Sequence, residues 1–214
     1  MRTILHIEAS PRGDASTSSA MAAAYLDALG DRLGGIAVDR LQVWGESLPD
    51  FDGAALEAKY ATLKGAGLTP AQAAAWDGIR ALVARIDRAD AILVSTPMWN
   101  LGIPYKLKQL VDLVTQPGIS FAFDPATGYR PLLRDRPVAA VLSSTGDFRD
   151  GTSYGRPDLA SGYLAAALRF IGLADLSLVP VAPTVGAADA VAAGRQRAVE
   201  QIHAVVRRHA EALS

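Results

Sequence analysis

The chain has 214 residues, 50% of them hydrophobic and 20% charged, which suits one domain over residues 1–214 with a sizeable core and is long for two. Its net charge of −1 supplies no basic face, so nucleic acid and anionic membrane are poor partners. The absence of cysteine excludes disulfides, thiolate nucleophiles and cysteine-held metals within the chain, and fits a reducing compartment.

Strand and helix patterns then alternate from end to end. Residues 3–9 predict a first strand; His6 and Glu8 within its short apolar run argue against a signal peptide. Ser16 or Ser18 caps a helix carrying Met21, Ala24, Tyr25, Ala28 and Leu29. Residues 36–43 predict a second strand, whose mixed polarity suits an edge. Residues 44–69 have no clean period and hold Pro49, Gly53, Gly65 and Gly67, so a long excursion with some helix is expected. Thr69-Pro70 opens a helix with Trp76, Ile79, Leu82, Val83 and Ile86 on one stripe. Residues 91–95 are an apolar third strand, and residues 104–115 a helix with Leu107, Leu110, Val111 and Val114. Residues 118–133 predict a hairpin, with Ile119, Phe121 and Phe123 alternating before a Pro-Ala-Thr-Gly turn. Residues 138–143 form a fourth strand, 159–171 a helix, 176–181 a fifth strand and 187–213 a long final helix.

Five strands separated by helices predict an α/β fold: a doubly wound five-stranded parallel sheet, covered on both faces. The flavodoxin-like strand order 2-1-3-4-5 is expected. No apolar run reaches the ~20 residues of a membrane span, so a cytoplasmic protein is the simplest expectation.

Three loops fall at the carboxyl ends of strands, where open α/β sheets bind ligands. The first, Ser10-Pro11-Arg12-Gly13-Asp14-Ala15-Ser16-Thr17-Ser18-Ser19, is neither G-x-G-x-x-G nor G-x-x-x-x-G-K-[ST]. It is rich in hydroxyls and ends at a helix N-terminus, where free N–H groups and the helix dipole suit a monophosphate. Ser10, Ser16, Thr17 and Ser18 could complete such a cage, or Ser16 or Ser18 could simply cap the helix. The second loop, Pro97-Met98-Trp99-Asn100-Leu101, sets exposed backbone groups beside flat apolar side chains, a surface for a planar heterocycle. The third is Ser143-Ser144-Thr145-Gly146-Asp147-Phe148, able to present N–H groups or to be an ordinary exit turn. In a 2-1-3-4-5 sheet these three loops converge at the switch point, and their conjunction is more specific than any one of them.

The chain resembles the FMN-dependent NAD(P)H azoreductases and quinone reductases of the flavodoxin-like fold. The matching residues run from Ser10-Pro11-Arg12 and Ser16-Thr17-Ser18, through Pro97-Met98-Trp99-Asn100-Leu101 and Leu107-Lys108-Gln109-Leu110-Val111-Asp112-Leu113-Val114. They continue with Gly118-Ile119-Ser120-Phe121-Ala122-Phe123, Ser144-Thr145-Gly146-Asp147, and Tyr163-Leu164 through Phe170-Ile171-Gly172. The resemblance implies that Ser10, Arg12, Ser16, Thr17 and Ser18 bind the FMN phosphate. It implies that Pro97, Met98, Trp99, Asn100 and Leu101 line the flavin ring, and that Ser144, Thr145, Gly146 and Asp147 meet its pyrimidine side. Phe123 and Phe170 would lie beside the substrate. Asp147 departs from the family's common Ser-Arg-Gly-Gly at this loop. It could oppose charge on the reduced ring, accept a hydrogen bond from N3–H, point to solvent or pair with Arg149.

The implied activity is a ping-pong oxidation of NADH or NADPH with two-electron reduction of quinones or cleavage of aromatic azo compounds. The flavin carries the chemistry, so no catalytic side chain is expected. A homodimer is implied, with each site completed by the second subunit and residues 44–69 offering contact surface. No metal site is expected, because His6, His203 and His209 fit no ligand spacing. His6 and Glu8 read as a hydrogen-bonded structural pair, and Arg207, Arg208 and His209 as a solvated helix end. Ser143, Ser144 and Ser153 lack the G-x-S-x-G context of a hydrolase. The rivals from other classes are a flavodoxin-like electron carrier to protein partners, which near-neutral charge argues against, and a cofactor-free binding module.

Overall fold

The computed structural model describes residues 1–214. Its strands are β1 (Arg2–Glu8), β2 (Ile36–Gln42), β3 (Ala91–Pro97), β4 (Phe121–Asp124), β5 (Gly128–Pro131), β6 (Val138–Ser143), β7 (Thr152–Ser153), β8 (Arg156–Pro157) and β9 (Leu176–Val181). Its helices are α1 (Thr17–Leu33), α2 (Gly53–Leu63), α3 (Pro70–Arg88), α4 (Tyr105–Val114), α5 (Ala160–Ile171) and α6 (Ala188–Leu213). The central sheet runs β2-β1-β3-β6-β9, all parallel, which is the expected 2-1-3-4-5 order.

The period-two alternation of the strands divides the core. Leu5, Ile7, Ile92, Val94, Val138 and Ala140 face one layer, packed by α3, α4 and α5 around Trp76, Ile79, Leu107 and Leu164. Ile4, Leu93, Ala139, Val141 and Val179 face the other, against Tyr25 and Leu29 of α1 and Ile202 and Val206 of α6. The inner strands β3 and β6 are buried throughout, save half-buried Pro97 at the end of β3, whereas β2 and β9 mix buried with open positions, as edges do.

Local signals account for the helix ends. Ser16, not Ser18, is the N-cap of α1, and Gly34 closes that helix at φ +69°. Thr69 and Gln72 form a reciprocal capping box on α3, with Pro70 in its first turn. The 118–133 region is the expected antiparallel hairpin, β4 with β5, its turn held by Asp124 Oδ1 accepting from Ala126 N (2.8 Å) and Thr127 N (3.1 Å). The small β7–β8 hairpin has no counterpart in the sequence reading. Its turn is Tyr154-Gly155, both at positive φ, and a tyrosine where asparagine or aspartate is usual hides the signal. No helix is long and apolar enough to cross a membrane.

Two expectations about histidine are corrected. His6 and Glu8 do not bond to one another: His6 Nε2 lies 2.9 Å from Ser95 Oγ, and Ser19 Oγ donates to Glu8 Oε1 at 2.6 Å. Successive odd or even residues on a strand share a face but stand two residues apart, so neighbouring elements supply the nearer partners. His209 is not solvated but wholly buried, with its Nδ1 2.7 Å from the Tyr25 hydroxyl. It lies on the stripe of α6 that packs against α1, and that stripe continues to the helix end.

Candidate functional site

The carboxyl ends of β1, β3 and β6 lie side by side, in a register that sets Glu8 beside Ser95 and Pro97 beside Ser143. The three loops singled out in the sequence therefore leave the sheet at one edge.

In the first loop, Ala9 N still donates to Ser95 O, and residues 13–15 make one tight 3-10 turn. Ser16 Oγ accepts from Ser19 N at 3.2 Å and lies 3.1 Å from Ser18 Oγ. Ser10, Ser16 and Ser18 are buried, Thr17 is half-buried and Arg12 is exposed. Capping and anion binding are compatible here. Ser16 satisfies one N–H of the first turn, which leaves the other first-turn N–H groups beside two buried hydroxyls at the positive end of a 17-residue helix.

The second loop is a two-residue turn. Trp99 N donates to Gly102 O at 2.9 Å and Gly102 N to Trp99 O at 3.0 Å. The two residues between them, Asn100 and Leu101, have φ of +48° and +72°. Asparagine tolerates that region, but leucine does so only at a cost of about 1–3 kcal/mol. The turn is tied at both flanks: Met98 N donates to Ser143 O (2.7 Å), and Leu159 N to Leu101 O (3.1 Å). Strain held this firmly, in a surface turn at the ligand edge of the sheet, is characteristic of binding sites. Trp99 stacks at a tilt on Trp44, with ring centroids 5.6 Å apart, and Trp44 meets Tyr105 edge-on at 5.0 Å. Trp44 Nε1 donates to Ala9 O at 3.1 Å and so bridges the first and second loops.

In the third loop, Ser144 Oγ donates to Gly146 O at 2.7 Å. Gly146 is fixed by a close approach, not by a turn: a Cβ there would collide with the Ser153 side chain. Asp147 accepts from Arg149 Nε at 2.8 and 3.0 Å, and Arg197 lies 3.6 Å away. The Arg149 hydrogen bonds hold its carboxyl below the usual range. Of the roles open to Asp147, its side chain takes the pairing with Arg149.

Met98, Asn100 and Leu101 form one wall of a trough of about 440 Å³; Ser144, Thr145, Phe148 and Arg156 form the other. Asp147 and Arg149 line an adjoining cavity of about 200 Å³ that shares Ser144 and Phe148 with the trough. Trp44 and Arg156 were given no site role from the sequence, and Phe148 entered only as the last residue of the third loop. Trp44 stood at the start of an aperiodic stretch, and Arg156 belongs to the unrecognised hairpin.

Phe123 and Phe170 are not brought to this trough within one chain. Phe170 lies in the last turn of α5, whose N-cap Leu159 is tied to Leu101 near the trough; the intervening helix puts about 15 Å between them. They instead join Phe121 and Tyr129 in an aromatic cluster: Phe121 and Phe170 centroids are 4.8 Å apart, as are Phe123 and Tyr129. The cluster faces solvent, with Phe123 57% and Tyr129 64% exposed.

A family model for the flavodoxin-like fold matches residues 2–206. The chain is 43% identical over 205 residues to "FMN-dependent NADH:quinone oxidoreductase 1" of Bradyrhizobium diazoefficiens, covering 96% of this chain and 98% of that protein. It is 40% identical over 202 residues to an FMN-dependent NADH:quinone oxidoreductase of Nitratidesulfovibrio vulgaris, covering 94% and 96%. Among solved structures, an FMN-dependent NADH-azoreductase of Bacillus anthracis in complex with FMN superposes with a TM-score of 0.86 at 22% identity, covering 98% of this chain and all of that one. That last likeness speaks to the fold.

Proposed function

Because the chain belongs to the flavodoxin-like fold family and matches FMN-dependent NADH:quinone oxidoreductases over nearly its whole length, we propose that it is one of them. It takes reducing equivalents from NADH and passes them to quinones; aromatic azo compounds are further acceptors. The observation that carries this reading is the strained Asn100-Leu101 turn, held beside the hydroxyl-lined N-terminus of α1.

The residues present fit FMN. Buried Ser16 and Ser18, with Ser10, Thr17 and Arg12, offer neutral hydroxyls, N–H groups and one guanidinium to a single phosphate, with no lysine in the loop. Pro97, Met98, Trp99, Asn100 and Leu101 would hold one side of a flat ring, and Ser144, Thr145 and Gly146 its hydrogen-bonding edge; Asp147 contributes backbone alone. Bound FMN supplies the two-electron chemistry, so the protein need supply no acid or base of its own. The chain's part is to bind, orient and exclude water: Trp44 and Trp99 shut one side, and the hairpin flanks the other. NADH and the acceptor enter in turn, which gives ping-pong kinetics.

A homodimer belongs to this reading. The Phe121, Phe123, Tyr129 and Phe170 cluster is apolar, exposed and remote from its own trough, and a two-fold partner would bring it over the neighbouring site. The cysteine-free composition supports a reducing, cytoplasmic setting.

The purified protein is expected to be yellow and to bleach with NADH, recovering its colour when a quinone is added. Flavin released by acid should run as FMN on chromatography. FAD in its place, or a colourless protein that takes up no FMN, overturns the reading.

A further inference from the structure

We infer that Arg156 is a specificity-determining residue that recognises an anionic group on the ligand entering the trough. The inference rests on the oxidoreductase reading above. Arg156 opens β8, directly after the strained Tyr154-Gly155 turn whose tyrosine is 98% exposed. Its Nε donates to the Ser153 carbonyl at 3.1 Å, which fixes the guanidinium against the third loop. A Cβ on Gly146 would stand 3.0 Å from Arg156 Nη2, which places the guanidinium directly against the third loop at the trough wall.

The terminal nitrogens of Arg156 take part in no ion pair. The nearby carboxylates are engaged elsewhere. Asp147 is bound to Arg149, with Arg197 close by. Asp158 caps α5, accepting from Ala160 N, Ser161 N and Ser161 Oγ at 2.9, 2.9 and 2.6 Å. Every other residue lining the trough is uncharged. One cation without a counter-charge therefore faces a neutral pocket. A guanidinium offers paired N–H donors that match a carboxylate, sulfonate or phosphate. Besides FMN, whose phosphate the first loop would take, two ligands of this site can carry such a group: an aromatic acceptor with a carboxylate or sulfonate on its ring, and the dinucleotide with its diphosphate.

The experiment compares the FMN-loaded wild type with Arg156→Gln and Arg156→Lys. It measures kcat/KM for 1,4-naphthoquinone-2-sulfonate and for neutral 2-methyl-1,4-naphthoquinone at saturating NADH, and the KM for NADH. Binding of the non-reducible naphthalene-2-sulfonate is titrated alongside, which tests Arg156 independently of turnover. Arg156→Gln should lower kcat/KM for the sulfonated quinone about tenfold and weaken naphthalene-2-sulfonate by a similar factor, with the neutral quinone changed less than about twofold. Lysine should restore part of the loss. A raised KM for NADH, with the sulfonated quinone unaffected, assigns the recognised anion to the dinucleotide. Equal effects on charged and neutral acceptors, or no effect on any of the three ligands, overturns the inference. Wild-type protein that cannot reduce the neutral quinone with NADH overturns the oxidoreductase reading instead, a result distinct from variants that turn over like wild type.

Discussion

Ser16 serves both the helix and the anion that the helix attracts, and its two contributions can be separated. Ser16→Ala removes an N-cap, which should cost about 1 kcal/mol of stability without flavin present. It should also weaken FMN by roughly ten- to a hundredfold, through loss of a hydrogen bond to a charged group. Ser18→Ala removes no cap, so it should weaken FMN with a smaller effect on the cofactor-free melting temperature. Thermal melts of the flavin-free protein and fluorescence titration with FMN check the pair; affinities unchanged in both variants would move the phosphate elsewhere. Asp147 is a second residue whose surroundings decide its effect. Its charge is offset by Arg149 and Arg197, so Asp147→Gly should shift the flavin midpoint potential by less than about 30 mV, the equivalent of 1.4 kcal/mol for two electrons. Spectroelectrochemical titration giving a larger rise would mean that its carboxylate acts on the ring despite those partners.

Helix packing sets the acid sensitivity of the fold. His209 between α6 and α1, and His6 on β1, are each pushed by burial from 6.5 to about 4. Both therefore stay neutral in the folded chain where the unfolded chain would take up a proton. Between pH 6.5 and about 4 the unfolded state binds more protons, so stability is full above 6.5 and falls as the pH drops through that window. The loss is on the order of 3 kcal/mol per histidine at the bottom of it. Urea unfolding at several pH values should show this slope, and His209→Asn should reduce it by about one proton; an unchanged slope would mean that His209 titrates normally when folded. The elements also show why some of the structure could be read in advance and some could not. The amphipathic stripe of α3, its Thr69-Pro70 start and the apolar run of β3 are local patterns, and they carry the fold. Arg136 is the opposite case. It sits in the charged run Arg134-Asp135-Arg136, yet it is buried and donates to the carbonyls of Ile86, Asp87 and Ala89 at the end of α3. No local pattern announces a partner some fifty positions away. The Ser-rich loop and the 97–101 turn were legible because their chemistry is contiguous. Arg156 and Trp44 were not, because only the folded chain brings them to the same edge.

For the molecule as a whole, the trough lies at one end of α4 and α5 and the exposed aromatic cluster at the other. A lone chain leaves both uncovered. Sedimentation of the active protein should give twice the 22.4 kDa chain mass. Phe123→Asp places a charge in the apolar cluster and should shift the protein toward monomer, with loss of quinone reduction but retention of FMN, since the phosphate loop belongs to a single chain. A fully active 22.4 kDa monomer would refute the shared-site arrangement.

Leu101 gives the molecule a signature in any experiment that selects for durability alone. A leucine at φ +72° is tolerable only while something rewards it. Bred for heat resistance with no demand for turnover, a population of this chain has a downhill route at that codon, toward glycine. Bred for turnover, it has reason to refuse that route. The side chain at position 101 thus records which of the two pressures has been acting.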